Sequence, residues 1–234
     1  MSIQVLAFAI CIPIPFCIFR MKRYGLDWVR LLVIYVIVST VGAVGACVGA
    51  WASGEPIFSI RLYGLMLFDF LLLWPLSRLM KMTVWDLGDF ISVPIMMVCS
   101  AAKISCWVRD CCRGIYISWL GTNTSVQFPS QIFEMVLWAA MAVLLIFKEK
   151  RNRFTGQLWP FAMIWFGVLR FVVDFLRLSK EPTQIYYMFM SGAKFWSLMT
   201  VLVGCGFMYV TLRRKLTRKP TIFELLKSCA GIPC

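Results

Sequence analysis

Residues 31–54 read LLVIYVIVSTVGAVGACVGAWASG, an apolar run without a single charged side chain. An α-helix rises 1.5 Å per residue, so about 20 apolar residues cross the roughly 30 Å hydrocarbon core of a bilayer. Because lipid offers the backbone no hydrogen-bond partners, a segment that crosses it alone has to be helical. The run therefore predicts a membrane-spanning helix.

The composition of the whole chain agrees with that prediction. Of its 234 residues, 61% are apolar and only 15% are charged, whereas a soluble domain has about a quarter charged residues. The mean hydropathy is +0.80. A soluble protein of this length has too little interior to hide so much apolar surface, so disordered, coiled-coil and soluble-enzyme classes are excluded.

Working outward from residues 31–54, the hydropathy pattern predicts seven helical spans. They cover residues 2–19, 29–51, 62–80, 89–108, 130–147, 157–176 and 194–212. The predicted fold class is therefore all-α, a polytopic integral membrane protein with seven transmembrane helices. We expect one membrane domain over residues 1–212 and a basic tail over residues 213–234.

The basic residues predict the orientation of this domain. Fifteen of the 24 Lys and Arg residues fall in the first, third and fifth connections and in the tail, and five fall in the other connections. Cytoplasmic loops carry the excess of Lys and Arg, so the N-terminus is expected outside and the C-terminus in the cytoplasm. Residues 1–19 carry no charge, which favours a retained first span over a cleaved signal peptide.

The remaining composition limits partners and cofactors. The net charge of +13 is typical of a protein at an anionic membrane surface. No basic run is interleaved with aromatic residues, so we expect no nucleic acid. The chain has ten cysteines and no histidine, which argues against a structural zinc site, and we expect no metal or other cofactor.

Most of the charged residues inside the predicted spans map to the outer half of the membrane. Lys103 comes late in the fourth span, Glu134 early in the fifth, and Arg170 and Asp174 late in the sixth, with Arg177 at its end. A charge in hydrocarbon costs roughly 2.5 kcal/mol or more and normally faces a partner or a wet cavity. We therefore expect a polar bay between spans four, five and six, in the outer half of the membrane.

Two interpretations of this bay stay open at the level of residues. The charges form salt bridges that only fix helix packing, or they hold an anionic lipid headgroup. Arginine suits phosphate because its planar fork donates two parallel hydrogen bonds. A transporter pathway is the weakest alternative, because no repeat symmetry or paired broken helices are visible.

Three short motifs give the chain a family resemblance. Residues 103–114 read KISCWVRDCCRG, residues 129–134 read PSQIFE, and residues 167–177 read GVLRFVVDFLR. In this order and spacing they resemble the motifs of the bacterial prolipoprotein diacylglyceryl transferases, in the branch with a cysteine-rich first motif. The similarity extends from about residue 20 to residue 212.

The resemblance implies an activity, its partners and a location. Family members transfer the diacylglyceryl group of phosphatidylglycerol to the lipobox cysteine of prolipoproteins, and a thioether forms as glycerol phosphate leaves. It therefore implies phosphatidylglycerol, prolipoprotein signal peptides and membrane lipids as partners. The implied location is the bacterial cytoplasmic membrane.

The resemblance also implies roles for site residues. Lys103 and Arg170 are the expected clamp on the leaving phosphate. Glu134 is the expected general base, with a packing ion pair to Lys103 or Arg170 as the alternative. The other expected lipid contacts are Gln131, Gly114, Asp174, Arg177, Arg109 and Tyr63.

The sequence departs from the family pattern at several active-site positions. Lys103 stands where the first motif has an arginine, and Ser105 and Asp110 replace glycines. The His-Gly-Gly motif before the third span is replaced by RLYGL at residues 61–65. A catalytically degenerate lipid- or precursor-binding protein on the same scaffold is therefore the alternative function. The adjacent Cys111 and Cys112 match the motif, but the implied chemistry uses the substrate's cysteine.

Overall fold

The computed structural model describes residues 11–52, 62–108, 113–118, 125–151, 156–177, 186–187 and 190–217. Within these ranges the chain forms seven α-helices. They are α1 (Ile14–Met21), α2 (Trp28–Ala52), α3 (Leu62–Met80), α4 (Val84–Val108), α5 (Ser130–Arg151), α6 (Leu158–Phe175) and α7 (Gly192–Thr217). A 3₁₀ turn over Lys22–Tyr24 follows α1.

Five of these helices, α2, α4, α5, α6 and α7, are long and apolar enough to cross a membrane. A helical multi-pass membrane fold is therefore confirmed, while the number of seven spans and their orientation stay predictions. Much of the first predicted span, residues 2–10, lies outside the described residues. Helix α3 has the predicted bounds of residues 62–80.

Three helix boundaries lie four or five residues from the prediction: the start of α4, the end of α5, which is Arg151 rather than residue 147, and the end of α7. Helix α4 begins at Val84 rather than at residue 89, because Thr83 and Asp86 form a capping box. Thr83 Oγ1 accepts the Asp86 N–H at 3.1 Å and donates to Asp86 Oδ2 at 2.6 Å. Helix α7 continues to Thr217, past the predicted domain boundary at residue 212, so the first basic residues of the tail extend a spanning helix.

The all-α prediction is incomplete, because two antiparallel ribbons join helices. Strands β1 (Tyr116–Ser118) and β2 (Ser125–Gln127) pair between α4 and α5, and β3 (Tyr186–Tyr187) pairs with β4 (Met190–Ser191) before α7. We call the end of the molecule that carries the β1–β2 ribbon the hairpin end. Helices α4 and α6 finish there, and α5 and α7 begin there.

Consecutive helices pack as pairs, α2 with α3, α4 with α5 and α6 with α7. Small residues allow the closest approach in the first pair. A Cβ on Gly45 of α2 would lie 2.5 Å from Cβ of Phe68 on α3, so the two backbones meet where no side chain separates them. Between α5 and α6, the ring of Trp138 stacks on that of Phe166 with centroids 4.9 Å apart.

At the end opposite the hairpin, an ion pair joins α1 to α5. Arg20 Nε donates to Glu149 Oε2 at 2.9 Å and Nη2 donates to Oε1 at 2.9 Å. Tyr24 donates its hydroxyl to Oε1 at 2.7 Å, and burial raises the pKa of Tyr24, which keeps that proton in place. Arg20 and Glu149 are each 6% exposed. We call Arg20, Glu149 and Tyr24 the Arg20 cluster.

Arg20 also repairs a defect in α4. Pro94 lies inside α4 and has no N–H to give to the carbonyl of Phe90 four residues earlier. Arg20 Nη1 donates to that carbonyl at 2.6 Å, and Nη2 donates to the carbonyl of Asp89 at 3.0 Å. The charge count places Arg20 in the first connection, whereas the structure buries it within α1.

The side chain of Asp89 holds the start of α6. Its carboxylate accepts the backbone N–H of Gly156 at 2.5 Å and of Trp159 at 2.8 Å. The first N–H groups of a helix have no partner within the helix. A residue of α4 therefore caps α6, and the two helices are held in register.

Candidate functional site

Four charged side chains from three helices meet near the hairpin end. Lys103 lies on α4, Glu134 on α5 and Arg170 on α6, while Arg177 follows α6. Ion pairs join each of the three cations to the one carboxylate. We call these four residues the Glu134 cluster.

The geometry of the cluster is centred on a buried carboxylate. Glu134 Oε2 pairs with Lys103 Nζ and lies 3.7 Å from Arg170 Nη1, and Oε1 lies 3.8 Å from Arg177 Nε. The Glu134 side chain is 1% exposed, and that of Arg177, the most open cation, is 22% exposed. The site is thus enclosed around Glu134 and accessible at its cations.

Two of these contacts are too long to be direct hydrogen bonds. An N–H···O hydrogen bond spans about 2.7–3.2 Å, and the two arginine contacts exceed that range. The three cations and one carboxylate carry a net formal charge of +2. The arrangement favours a second anion beside Glu134, and guanidinium groups suit an anion with several oxygens, such as phosphate.

Local sequence explains how these side chains converge. Pro129 and Ser130 start α5, and the N–H of Phe133 donates to the carbonyl of Pro129 at 3.1 Å. This start turns Glu134, one turn further along, toward α4 and α6. Arg170 lies in the last turns of α6, and Arg177 lies two residues after the helix, where a β-bridge to Gly114 positions it. Both side chains reach the same carboxylate.

The β1–β2 ribbon is attached beside the cluster. The N–H of Ile115 donates to the carbonyl of Leu176 at 3.0 Å, and Gly114 forms a β-bridge with Arg177. A Cβ on Gly114 would overlap the carbonyl oxygen of Phe128. Only glycine permits this close approach to Phe128. The β-bridge of the same glycine fixes the backbone of Arg177.

The other expected site residues are placed as follows. Gln131 is buried on the first turn of α5. Asp174 Oδ2 accepts the hydroxyl of Ser191 at 2.8 Å and so connects the end of α6 to the start of α7. Arg177 forms its ion pair with Glu134 on α5. Arg109 lies outside the described residues, as do Cys111 and Cys112, and for Tyr63 only the helical backbone is described.

The Arg20 cluster was not among the predicted groups of interacting residues. Arg20 and Glu149 are 129 residues apart, and each lies beside further charged residues that predict a solvated surface. The one signal was Pro94, whose position inside a predicted span leaves a carbonyl that needs a donor.

The fold and the cluster define the class of protein. It is a helical multi-pass membrane protein that carries a buried group of cations at one end of its apolar helices. A family comparison then identifies it further. The sequence model of the prolipoprotein diacylglyceryl transferases matches residues 4–210, so the chain belongs to this family and the resemblance is confirmed.

Individual relatives are distant. The phosphatidylglycerol–prolipoprotein diacylglyceryl transferase of Clostridium tetani is 26% identical over 133 residues, which are 51% of this chain and 52% of the relative. The enzyme of the same name from a Wolbachia strain of Brugia malayi is 30% identical over 83 residues, 34% of this chain and 32% of the relative. The chain thus spans about half, or less, of the length of the curated relatives that it matches.

Proposed function

We propose that this protein transfers the diacylglyceryl group of phosphatidylglycerol to the cysteine thiol of a prolipoprotein, forming a thioether. The observation that carries the proposal is the convergence of Lys103, Arg170 and Arg177 on Glu134. The names of the relatives support the substrates. The reaction releases glycerol phosphate, whose charge grows as the carbon–oxygen bond breaks, and a preorganised group of cations stabilises such a charge.

In this proposal Lys103, Arg170 and Arg177 contact the phosphate, and Glu134 holds them in position. Gln131 and Gly114 support the two sides of the site, and Asp174 fixes α6 against α7. Arg109 and Tyr63 stay proposed lipid contacts on the basis of the motifs alone. The candidate role of Glu134 as general base stays a prediction, which the experiments below test.

We further propose the topology that the basic residues predict. Seven spans place the N-terminus outside and the C-terminus in the cytoplasm of a bacterial cell, with residues 1–212 as the membrane domain and 213–234 as its tail. The Glu134 cluster then faces the outer leaflet, where secreted precursors emerge. Labelling with a membrane-impermeant reagent tests this topology. In a variant whose ten native cysteines are replaced by alanine, single cysteines are introduced at Tyr116 and Arg151, and only the first should react in intact cells.

The activity is tested with purified protein in vesicles that contain labelled phosphatidylglycerol and a synthetic lipobox peptide. We expect the wild type to form a lipid-linked peptide and Arg170→Ala to reduce the rate by about 100-fold or more. Arg78→Ala is the matched control, because Arg78 is exposed at the opposite end and lies over the ring of Trp74.

One result would overturn the transferase proposal. Folded wild-type protein that binds phosphatidylglycerol but forms no product would identify a lipid-binding protein on this scaffold. The replacement of the family arginine by Lys103 is the feature that favours this second function. An active Lys103→Arg variant beside an inactive wild type would then show that this replacement removed the activity.

A further inference from the structure

An apolar cavity of about 260 Å³ lies between α3, α4, α6 and α7. Its walls are aliphatic, aromatic and methionine side chains, among them Leu65, Leu73, Ile95, Phe166 and Met199. Among the described residues that line it, Asp69 of α3 is the one with an ionisable side chain. An ionisable group in apolar surroundings within a membrane domain is energetically costly and usually has a function.

Asp69 has an unmet capacity for a hydrogen bond. Its Oδ1 is buried and has no hydrogen-bond partner among the described residues. The neighbouring hydroxyls do not serve it, because Ser92 donates to the carbonyl of Gly88 at 2.7 Å and Thr200 to that of Trp196 at 2.8 Å. Buried acceptors are nearly always paired, so this oxygen is suited to a donor that arrives with a ligand.

The carboxyl group occupies space that a glycine leaves open. A Cβ on Gly42 of α2 would lie 3.1 Å from Oδ1 and 3.2 Å from Oδ2 of Asp69. The group therefore lies flat against α2 at one edge of the cavity. Any side chain at position 42 would displace it.

Along α4 and α6 the cavity lies one to two helical turns from the Glu134 cluster. Phe166 lines the cavity and is four residues from Arg170, and Met96 lines it and is seven residues from Lys103. Both intervals keep residues on one helix face, at about 6 Å and 10 Å along the axes. A ligand with its phosphate at the cations and its apolar part in the cavity has its phosphate-bearing glyceryl carbon between the two. A thiol that attacks this carbon in line with the leaving oxygen then approaches from the side of the cavity and Asp69.

We propose that Asp69 is the proton acceptor for the thiol of the acceptor cysteine; this inference rests on the proposed transferase function. The S–H bond breaks and its proton moves to Oδ1 of Asp69. The sulfur electron pair forms the bond to the glyceryl carbon, and the carbon–oxygen bond to the phosphate breaks with its electron pair on the leaving oxygen. The proton then passes from Asp69 to the released glycerol phosphate.

Glu134 and Asp69 have different surroundings, which suit them to different roles. Both oxygens of Glu134 face cations, whereas no described cation makes an ion pair with Asp69. The chain has no histidine, which is otherwise the commonest general base near neutral pH. Asp69 therefore provides the open acceptor, and Glu134 organises the phosphate site.

A selenocysteine acceptor peptide separates these roles. A selenol is ionised at neutral pH and needs no proton acceptor, while a thiol is mostly protonated. We expect Asp69→Asn to lower kcat with the cysteine peptide by about 100-fold or more and to leave phosphatidylglycerol binding unchanged. With the selenocysteine peptide, the variant should come within about threefold of the wild type, because the missing step is bypassed.

Matched variants make the result specific. Asp27→Asn removes an exposed carboxylate near the start of α2 and should change neither rate. Glu134→Gln should lose the transfer with both peptides, because a neutral amide no longer holds the three cations in position. Gly42→Ala keeps the carboxyl group but displaces it, so its smaller loss should also be rescued by selenium; this variant and Asp69→Glu carry the test where Asp69→Asn does not fold.

The outcomes distinguish the two proposals. An active wild type with an equally active Asp69→Asn variant overturns the role of Asp69 alone. Rescue of Glu134→Gln instead of Asp69→Asn assigns the proton to Glu134 and overturns it too. A folded wild type that modifies neither peptide overturns the transferase proposal, and the inference falls with it.

Discussion

Helix α5 carries one buried glutamate near each end, and the protein surrounds the two in opposite ways. Glu149 accepts hydrogen bonds of 2.7–3.1 Å from Arg20 and Tyr24. Glu134 pairs with Lys103 and has two arginines at 3.7 and 3.8 Å. A carboxylate whose hydrogen bonds are complete serves packing, while a carboxylate among excess cations leaves room for another anion. Burial alone therefore does not identify a functional charge.

The largest expected effect is a loss of stability when the Arg20 cluster is broken. Arg20→Ala leaves the buried Glu149 carboxylate and the carbonyl of Phe90 without their donors, so we expect the free energy of unfolding to fall by about 3–5 kcal/mol. Thermal unfolding in detergent measures it. The double variant Arg20→Ala/Glu149→Ala should recover part of the loss, and an unchanged unfolding temperature would contradict the structural role of this cluster.

The same kind of change at the Glu134 cluster should affect activity instead. Lys103→Met keeps the length of the side chain but removes its charge, and a hydrogen bond to a charged group contributes about 1.5–3 kcal/mol. We expect transfer to fall roughly 10- to 100-fold and stability to fall far less than in Arg20→Ala. Rates and unfolding temperatures are to be measured on the same preparations. Equal destabilisation in both variants would remove the distinction between the clusters.

Variants of Asp89 test whether the end opposite the hairpin contributes only to stability. Asp89→Ala removes the cap of α6, and the loss of a helix cap costs about 1–2 kcal/mol. Asp86→Ala, which breaks the exposed capping box of α4, should cost about 0.5–1 kcal/mol. Chemical unfolding of both variants gives the ranking. The rate of transfer per folded molecule should be unchanged in each, and a lower rate would connect this end to the chemistry.

The smallest expected effect concerns a cation at the hairpin end that already has a partner. Lys194 Nζ lies 3.9 Å from the centroid of the Phe175 ring, and such a contact contributes about 0.5–1 kcal/mol. Lys194→Gln should lower stability by that amount and leave transfer unchanged. A large loss of transfer would show that cations near the Glu134 cluster act together regardless of their partners.

The sequence predicted the elements of the fold better than their contacts. Helix α3 has its predicted bounds because Arg61 and Lys81 flank a largely apolar run and so define both ends. The early start of α4 was missed because the capping box of Thr83 and Asp86 lies outside the apolar run. The β1–β2 ribbon was missed because strands of three residues have no measurable periodicity.

For the site, the helical spacing and the motifs predicted that Lys103, Glu134 and Arg170 lie close together, and ion pairs join Glu134 to the other two. Neighbouring spans run in opposite directions, so a residue late in one span and a residue early in the next lie at the same depth. Two features required coordinates. The pairing of Arg20 with Glu149 depends on which faces of α1 and α5 meet, and the open oxygen of Asp69 depends on the space left by Gly42. Neither contact can be predicted from the residues that flank its two partners in the sequence.

The repaired carbonyl in α4 has a consequence for biosynthesis. Arg20 is synthesised early, yet its acceptors Phe90 and Glu149 follow it by 70 and 129 residues. While the ribosome is still making the intervening spans, the nascent chain holds the Arg20 cation at the membrane boundary without the carboxylate that pairs with it in the folded protein. We therefore expect chains truncated before Glu149 to be recognised and degraded, and chains that include Glu149 to persist longer in the membrane.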